Sequence, residues 1–272
     1  MKAALVAVAY AALVALWVST AHAETSEQSY AAALAALSKG TPNEAIDRME
    51  LLADQGVTNA DASLLRAAAY LARADGSGAQ PGDLGRAAAA LSEALLLRPD
   101  DAQAERGLEA VQAEIARRKS KQQESVMVRP RLSRAIATLL PEQLWATLAL
   151  LSSFAVALGV VVRRLAQKPL ARLTGMVAIS VGSALMLVFG TGAYAAEQFR
   201  VNSQPAVVVV PEAKLTNEQG RQLPSKRGAD TTSVPEGATV YVRERRDGRC
   251  LVEWGSTDAW LRSSELRLLA AR

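Results

Sequence analysis

Two stretches, Leu144–Val162 (LWATLALLSSFAVALGVVV) and Leu173–Ala196 (LTGMVAISVGSALMLVFGTGAYAA), contain no Asp, Glu, Lys, Arg or His. At about 1.5 Å of rise per helical residue, either run crosses the roughly 30 Å hydrocarbon core of a bilayer. Between them, residues 163–172 carry Arg163, Arg164, Lys168 and Arg172 and no acid. Positive loops stay on the cytoplasmic side, so these four residues set the topology and both flanking regions fall on the opposite face. The expected fold class is a multi-domain membrane protein built on a two-helix transmembrane hairpin, with spans at 142–162 and 173–196.

Working outward, Arg129, Arg131 and Arg134 precede the first span in a juxtamembrane linker, 125–141, and compete with the loop for the cytoplasmic side. The N-terminus decides the contest. Residues 1–23 read as a secretory signal: Lys2, the apolar stretch Ala3–Val18, and a small-x-small site at Ala21-His22-Ala23. An uncleaved anchor is the alternative, and either delivers the following segment to the far side. Glu142 and Trp145 then mark the outer end of the first span, and Pro169 fits a helix break in the loop. Ala155 with Gly159, and Ala178 with Gly182, are spaced for close helix packing, a pattern that alanine-rich helices also contain by chance. With no charge inside either run, the hairpin is not expected to carry protons or ions.

The net charge of +4 hides a division: residues 24–124 hold 16 acids against 11 bases, and residues 125–204 hold 8 bases against 2 acids. The excess base thus clusters around the spans, where it sets topology and meets head groups, which argues against nucleic acid despite a pI near 9.4. His22 is the only histidine and Cys250 the only cysteine. No intramolecular disulfide can form, Cys250 reads as a small core residue, and the mature chain is a poor candidate for zinc sites, Ser-His-Asp triads or Cys-His nucleophiles. Glu212 with Glu236, or Asp100 with Asp101, are the imaginable carboxylate pairs, and their loop and turn positions speak against catalysis. No enzyme activity and no cofactor are expected.

Residues 24–124 are rich in Ala, Leu, Glu and Arg, with breaks at Gly40-Thr41-Pro42, Gly56 and Gly76–Gly82 that divide them into helices. With Pro99 as the closing proline of a unit of about 34 residues, Ala87, Leu91 and Ala94 take the small and large apolar positions of a tetratricopeptide pattern. Leu64, Ala67, Ala68 and Leu71 fall in register on the first helix if Gly76–Gly82 is an insertion. A fainter copy precedes it at Ala45, Met49 and Leu52, and residues 102–118 read as a capping helix. The ending Leu97-Arg98-Pro99-Asp100-Asp101 resembles a tetratricopeptide repeat, which implies a partner-binding groove; a generic alanine-rich bundle is the alternative. Arg66 and Arg73 fit a groove or a solvated helix face alike.

Beyond Pro205 the texture turns to β-prone strings, Ala206–Val210, Thr239–Arg243 and Cys250–Trp254, with Asp247-Gly248 as a hairpin turn. Val234–Val240, Arg246–Gly248, Ala259–Leu261 and Ser264–Leu266 together resemble a bacterial SH3-type barrel over 205–272, an all-β module. Ala259 stands where that family has glycine, and Arg249 where an aromatic is common. Tyr241, Trp254 and Trp260 line either a surface or the core of so small a module.

Signal, helical repeat, two spans around a basic loop, and small barrel, in that order, resemble the BatE-type proteins of bacterial aerotolerance operons. The resemblance implies a non-enzymatic inner-membrane scaffold with both soluble modules periplasmic. Its implied partners are envelope proteins, among them von Willebrand factor A domain membrane proteins and a MoxR-type ATPase system. A cell-wall anchor or sensor that holds peptidoglycan through the barrel is the rival expectation. In either case the hairpin is a tether that raises the effective concentration of two modules for a shared partner.

Overall fold

The computed structural model describes residues 26–120, 134, 139–223 and 233–269. The expected signal segment, Arg129 and Arg131 lie outside them. Among the described residues there are seven α-helices and a small antiparallel β module. Helices α1 (Ser26–Ser38), α2 (Pro42–Asp54), α3 (Ala60–Asp75), α4 (Asp83–Leu97) and α5 (Ala102–Ser120) precede the long apolar helices α6 (Glu142–Leu165) and α7 (Pro169–Asn202).

The boundaries of the first five helices follow local chemistry. Gly40 and Gly56 take φ of 75° and 78° just beyond α1 and α2, the left-handed conformation that ends a helix. Asn59 caps α3 by accepting from the Asp61 N–H at 3.0 Å. Asp101 caps α5, accepting from the N–H groups of Gln103 (2.9 Å) and Ala104 (3.1 Å). That bonding, with Arg98 beside it, holds the Asp101 carboxyl below the ordinary range and makes it a structural group. The exposed Pro99 lies in the α4–α5 turn, where it cannot continue the preceding helix.

Helix α4 decides the packing of the helical module. Ala87, Ala88, Ala89 and Ala90 are all at most 1% exposed. Four consecutive residues point around most of the helix circumference, so α4 has no solvent side over this turn. Neighbours α3 and α5 cover two of its faces, and the β module covers a third.

Helices α6 and α7 have the length and apolar composition of membrane-spanning helices. Only 17% and 11% of their most apolar windows are buried, unlike the mostly buried core helix of a soluble protein. Leu151, Phe154, Leu158, Leu173 and Leu187 are each at least 60% exposed, a surface that water disfavours. The two helices pack tightly along small residues. A Cβ on Gly159 would lie 2.9 Å from the Gly175 carbonyl oxygen, and one on Gly182 2.9 Å from Val156 Cγ2. Of the small residues singled out by spacing, Gly159, Ala178 and Gly182 meet at this seam, whereas Ala155 faces outward. Ser152 and Gly175 take its place, the hydroxyl satisfied by the Leu148 carbonyl at 2.7 Å. The Trp145 ring turns inward onto Gly192 and Phe189. Helix α7 does not stop where the apolar run ends at Ala196: it continues to Asn202, and Ser203 alone separates it from the first strand.

The β module comprises β1 (Gln204–Val208), β2 (Glu212–Lys214), β3 (Ser233–Pro235), β4 (Thr239–Arg246), β5 (Arg249–Trp254), β6 (Thr257–Arg262) and β7 (Leu266–Leu268). Five strands form a sheet in the order β6-β5-β4-β1-β7, and β2 pairs with β3. Asp247 and Gly248, at φ of 50° and 72°, make the two-residue β4–β5 turn whose twist requires positive φ at both positions. Gly255, at φ of 60°, opens a second two-residue hairpin between Trp254 and Thr257. The core gathers Ala206, Val208, Val240, Val252, Cys250 and Leu261, with Cys250 Sγ 3.4 Å from the Ser263 hydroxyl.

Candidate functional site: the seam and the juxtamembrane clasp

Strand β1 alternates sides, and its two faces enter different cores. Ala206 and Val208 belong to the core of the β module, while Val207, with Val209 and Leu269, joins the core of the helical module. The two soluble parts are therefore one packed body. The expectation of two modules tethered near each other has to be revised, because they share apolar interior directly.

Two glycines at the start of α4 make this approach possible. A Cβ on Gly85 would lie 2.7 Å from the Val208 carbonyl oxygen, and one on Gly82 only 2.0 Å from that of Val209. Glu236, from the turn before β4, reaches across to accept the Gly85 N–H at 2.7 Å. It thus satisfies one of the donors left open at a helix N-terminus and interacts well with the positive end of the helix. At the other flank Arg267 of β7 pairs with Glu50 of α2 at 2.9 Å. Glu236 and Asp101 are thus alike in accepting from backbone N–H groups at the start of a helix.

Beneath the seam lies a buried polar network. Arg66, 4% exposed, pairs with Glu93 of α4, which also accepts from the Ser63 hydroxyl at 3.1 Å. Arg73 makes a two-point bond to Asp83, 3.1 and 2.6 Å, and reaches the Asn43 amide oxygen at 3.2 Å. Tyr70 donates to Glu50 at 2.9 Å, and burial together with that carboxylate pushes its phenol well above the ordinary value. Arg66 and Arg73 thus lock α3 to its neighbours, and Arg66 also lines a cleft of about 410 Å³ between the helices and β7.

The positions singled out for repeat packing divide. Ala67, Ala87, Leu91 and Ala94 are buried in the helical core, and Leu64 and Leu71 are half-buried against it. Ala68 is exposed, contrary to its expected packing role, because it falls on the solvent stripe Asp61, Ala68, Ala72 and Asp75, while Leu65 and Ala69 face inward. Arg163, Arg164, Lys168 and Arg172 end α6 and open α7 at the pole remote from the seam, where Arg172 donates to the Ala166 carbonyl at 3.0 Å.

The least expected residue is Arg134. It is 8% exposed and grips Glu253 of β5 with two bonds, 3.2 and 2.9 Å. Its guanidinium stacks 3.6 Å from the centre of the Tyr241 ring and 4.7 Å from that of Phe199 on α7. Arg243 adds a bond to the same carboxylate at 2.6 Å. Burial pushes the Glu253 carboxyl up, but the two guanidiniums outweigh it and hold the group below the ordinary range. Tyr241 is accordingly neither core nor open surface but a platform for Arg134. Trp260 is 8% exposed on the face of β6 opposite the apolar core, with Arg249 5.7 Å away. Trp254 is half-buried against that core. In sequence Arg134 looks like one of three topology charges, and nothing in the local pattern marks it as buried.

Among the described residues no group of His, Cys, Asp and Glu could hold a metal ion. No family model, curated protein or solved structure matches the chain.

Proposed function

We propose that the protein is a non-enzymatic scaffold of the bacterial inner membrane, held by a transmembrane hairpin whose basic loop is cytoplasmic. The helical part acts as a tetratricopeptide-like unit and the C-terminal part as an SH3-like module, both in the periplasm. The observation that carries this reading is the pair of lipid-suited helices fused directly to a body with a shared core. Such a body offers partners one composite surface, so recognition uses residues of both parts at once. Envelope proteins are the proposed partners, with von Willebrand factor A domain membrane proteins and a MoxR-type ATPase system as the first to test and a role in oxygen or stress tolerance as the setting. The engagement of Tyr241 by Arg134 and the burial of Trp260 favour this over a peptidoglycan anchor, which needs accessible aromatic faces.

Reporter fusions test the topology. A reporter active only in the periplasm is expected to be active at residue 272 and silent at residue 168; any other pattern removes the proposed architecture. Crosslinking in intact cells that recovers no envelope protein would remove the scaffold role.

A further inference from the structure

A cleft of about 550 Å³ opens where α7 meets the β module. We propose that it holds the phosphate of an anionic phospholipid headgroup. The inference rests on the reading that α6 and α7 span a bilayer.

Depth is the first argument. A bilayer measures about 30 Å of hydrocarbon plus several ångströms of headgroup on each side. A helix entering at Leu173 and tilted by an ordinary 20° traverses core and outer headgroups in about 26 residues, ending near Phe199. The cleft is lined by residues 199–205 of this segment, so it opens at headgroup level. Arg200 and Glu142, bonded at 2.8 Å between the outer ends of the two helices, lie at the same height.

Charge is the second. Arg134, Arg200, Arg243 and Arg245 all line the cleft, against a single acid, Glu244. Three of these cations are committed to carboxylates: Arg134 and Arg243 to Glu253, and Arg200 to Glu142. Arg245 instead donates to the neutral Gln204 side-chain oxygen, while Glu244 is paired with Arg246. Arg245 therefore brings a positive charge that the described residues balance with no carboxylate. A planar guanidinium fork suits two phosphate oxygens.

Shape is the third. Leu96, Phe199 and Val201 give the same cleft an apolar wall, as a headgroup whose glycerol backbone must descend toward the acyl chains requires. A headgroup without an ammonium fits best, since a second cation beside Arg245 is repelled.

The test uses the full chain in nanodiscs containing phosphatidylglycerol, phosphatidylcholine or both, with retained lipid counted by native mass spectrometry after release. Wild type is expected to retain phosphatidylglycerol selectively. Arg245→Gln is expected to lower that retention about tenfold, the effect of losing one charge-assisted hydrogen bond, and Arg48→Gln, which removes a partly exposed cation of α2 paired with Glu44 away from the cleft, to leave it unchanged. Equal retention by wild type and Arg245→Gln overturns the proposal. Displacement of the lipid by millimolar inorganic phosphate overturns the lipid as the source of the phosphate. Resistance to carbonate extraction is measured in parallel. Release of wild type by carbonate overturns the membrane reading itself, whereas stable insertion without headgroup preference overturns only the cleft.

Discussion

Replacing Gly85 with alanine probes whether the helical and β parts are truly one body. The new Cβ would sit 2.7 Å from the Val208 carbonyl oxygen, 2.9 Å from Glu236 Cγ and 3.0 Å from Val209 Cα. Ordinary contact begins near 3.4 Å, so β1 must retreat from α4 by about 0.7 Å. Two of the three obstructing atoms are backbone, and the third belongs to the side chain that bonds the Gly85 N–H, so no flexible group can yield without loss. Overpacking of this kind costs about 1–3 kcal/mol. Alanine recovers up to about 1 kcal/mol of helix propensity. With that recovery in full, the net loss of up to about 2 kcal/mol opens the seam up to roughly 30 times more often. Hydrogen exchange of the full chain in detergent reads it at the Val209 amide, which donates to the Glu265 carbonyl at 2.9 Å. Gly82→Ala should exceed this effect, because its Cβ would lie 2.0 Å from the Val209 oxygen and its φ is 88°. Gly78→Ala, with nothing within 4 Å, should exchange like wild type. If Gly85→Ala and Gly78→Ala exchange alike, the shared core is refuted.

Arg134→Gln should destabilise the soluble body by about 1–3 kcal/mol in chemical unfolding, since Glu253 stays buried with Arg243 as its remaining strong partner. Because the folded state depresses the Glu253 carboxyl, the clasp's contribution is complete above the ordinary carboxylate value. It disappears as pH falls through the depressed one, so the gap between wild type and Arg134→Gln should close in acid. In the hairpin, Gly192→Val must displace the Trp145 ring, which would lie 2.5 Å from a Cβ there, and should shift tryptophan emission and weaken α6–α7 association. Gly190→Ala, which meets nothing within 4 Å, should do neither. Ultraviolet titration should show that Tyr70→Phe removes a phenol that in the wild type ionises well above the ordinary phenol value. Since its folded value is raised, the stability Tyr70 contributes is whole below the ordinary phenol value and is lost as pH climbs beyond it.

The parts of the fold that were legible in sequence are those written in local chemistry. An uncharged run of about 20 residues has few fates, and the breaks at Gly40 and Gly56 and the Asp247-Gly248 turn follow from the backbone angles those residues tolerate. The seam was not legible, because Gly82, Gly85 and the Ala87–Ala90 run read equally well as a loose helix start and a strong helix former. Only the arrival of a strand more than 110 residues later, at Val208 and Val209, gives their small size a purpose. Arg134 was opaque for a related reason: a cation beside a span is normally a solvated topology signal, and its carboxylate and aromatic partners are distant in sequence. The far end of α7 was missed because hydropathy falls at Glu197 while helix propensity does not.

That continuous α7 has a mechanical consequence. Its 34 residues make a rod of about 51 Å, and with Ser203 as the whole connection to β1 there is no slack in which motion can be lost. A change of tilt of about 10° at the basic loop carries the far end sideways by roughly 9 Å. Arg134, stacked on Phe199 and bonded to Glu253, obliges the soluble body to follow. A change in bilayer thickness or a force on the loop can thereby be converted into rotation of the composite surface.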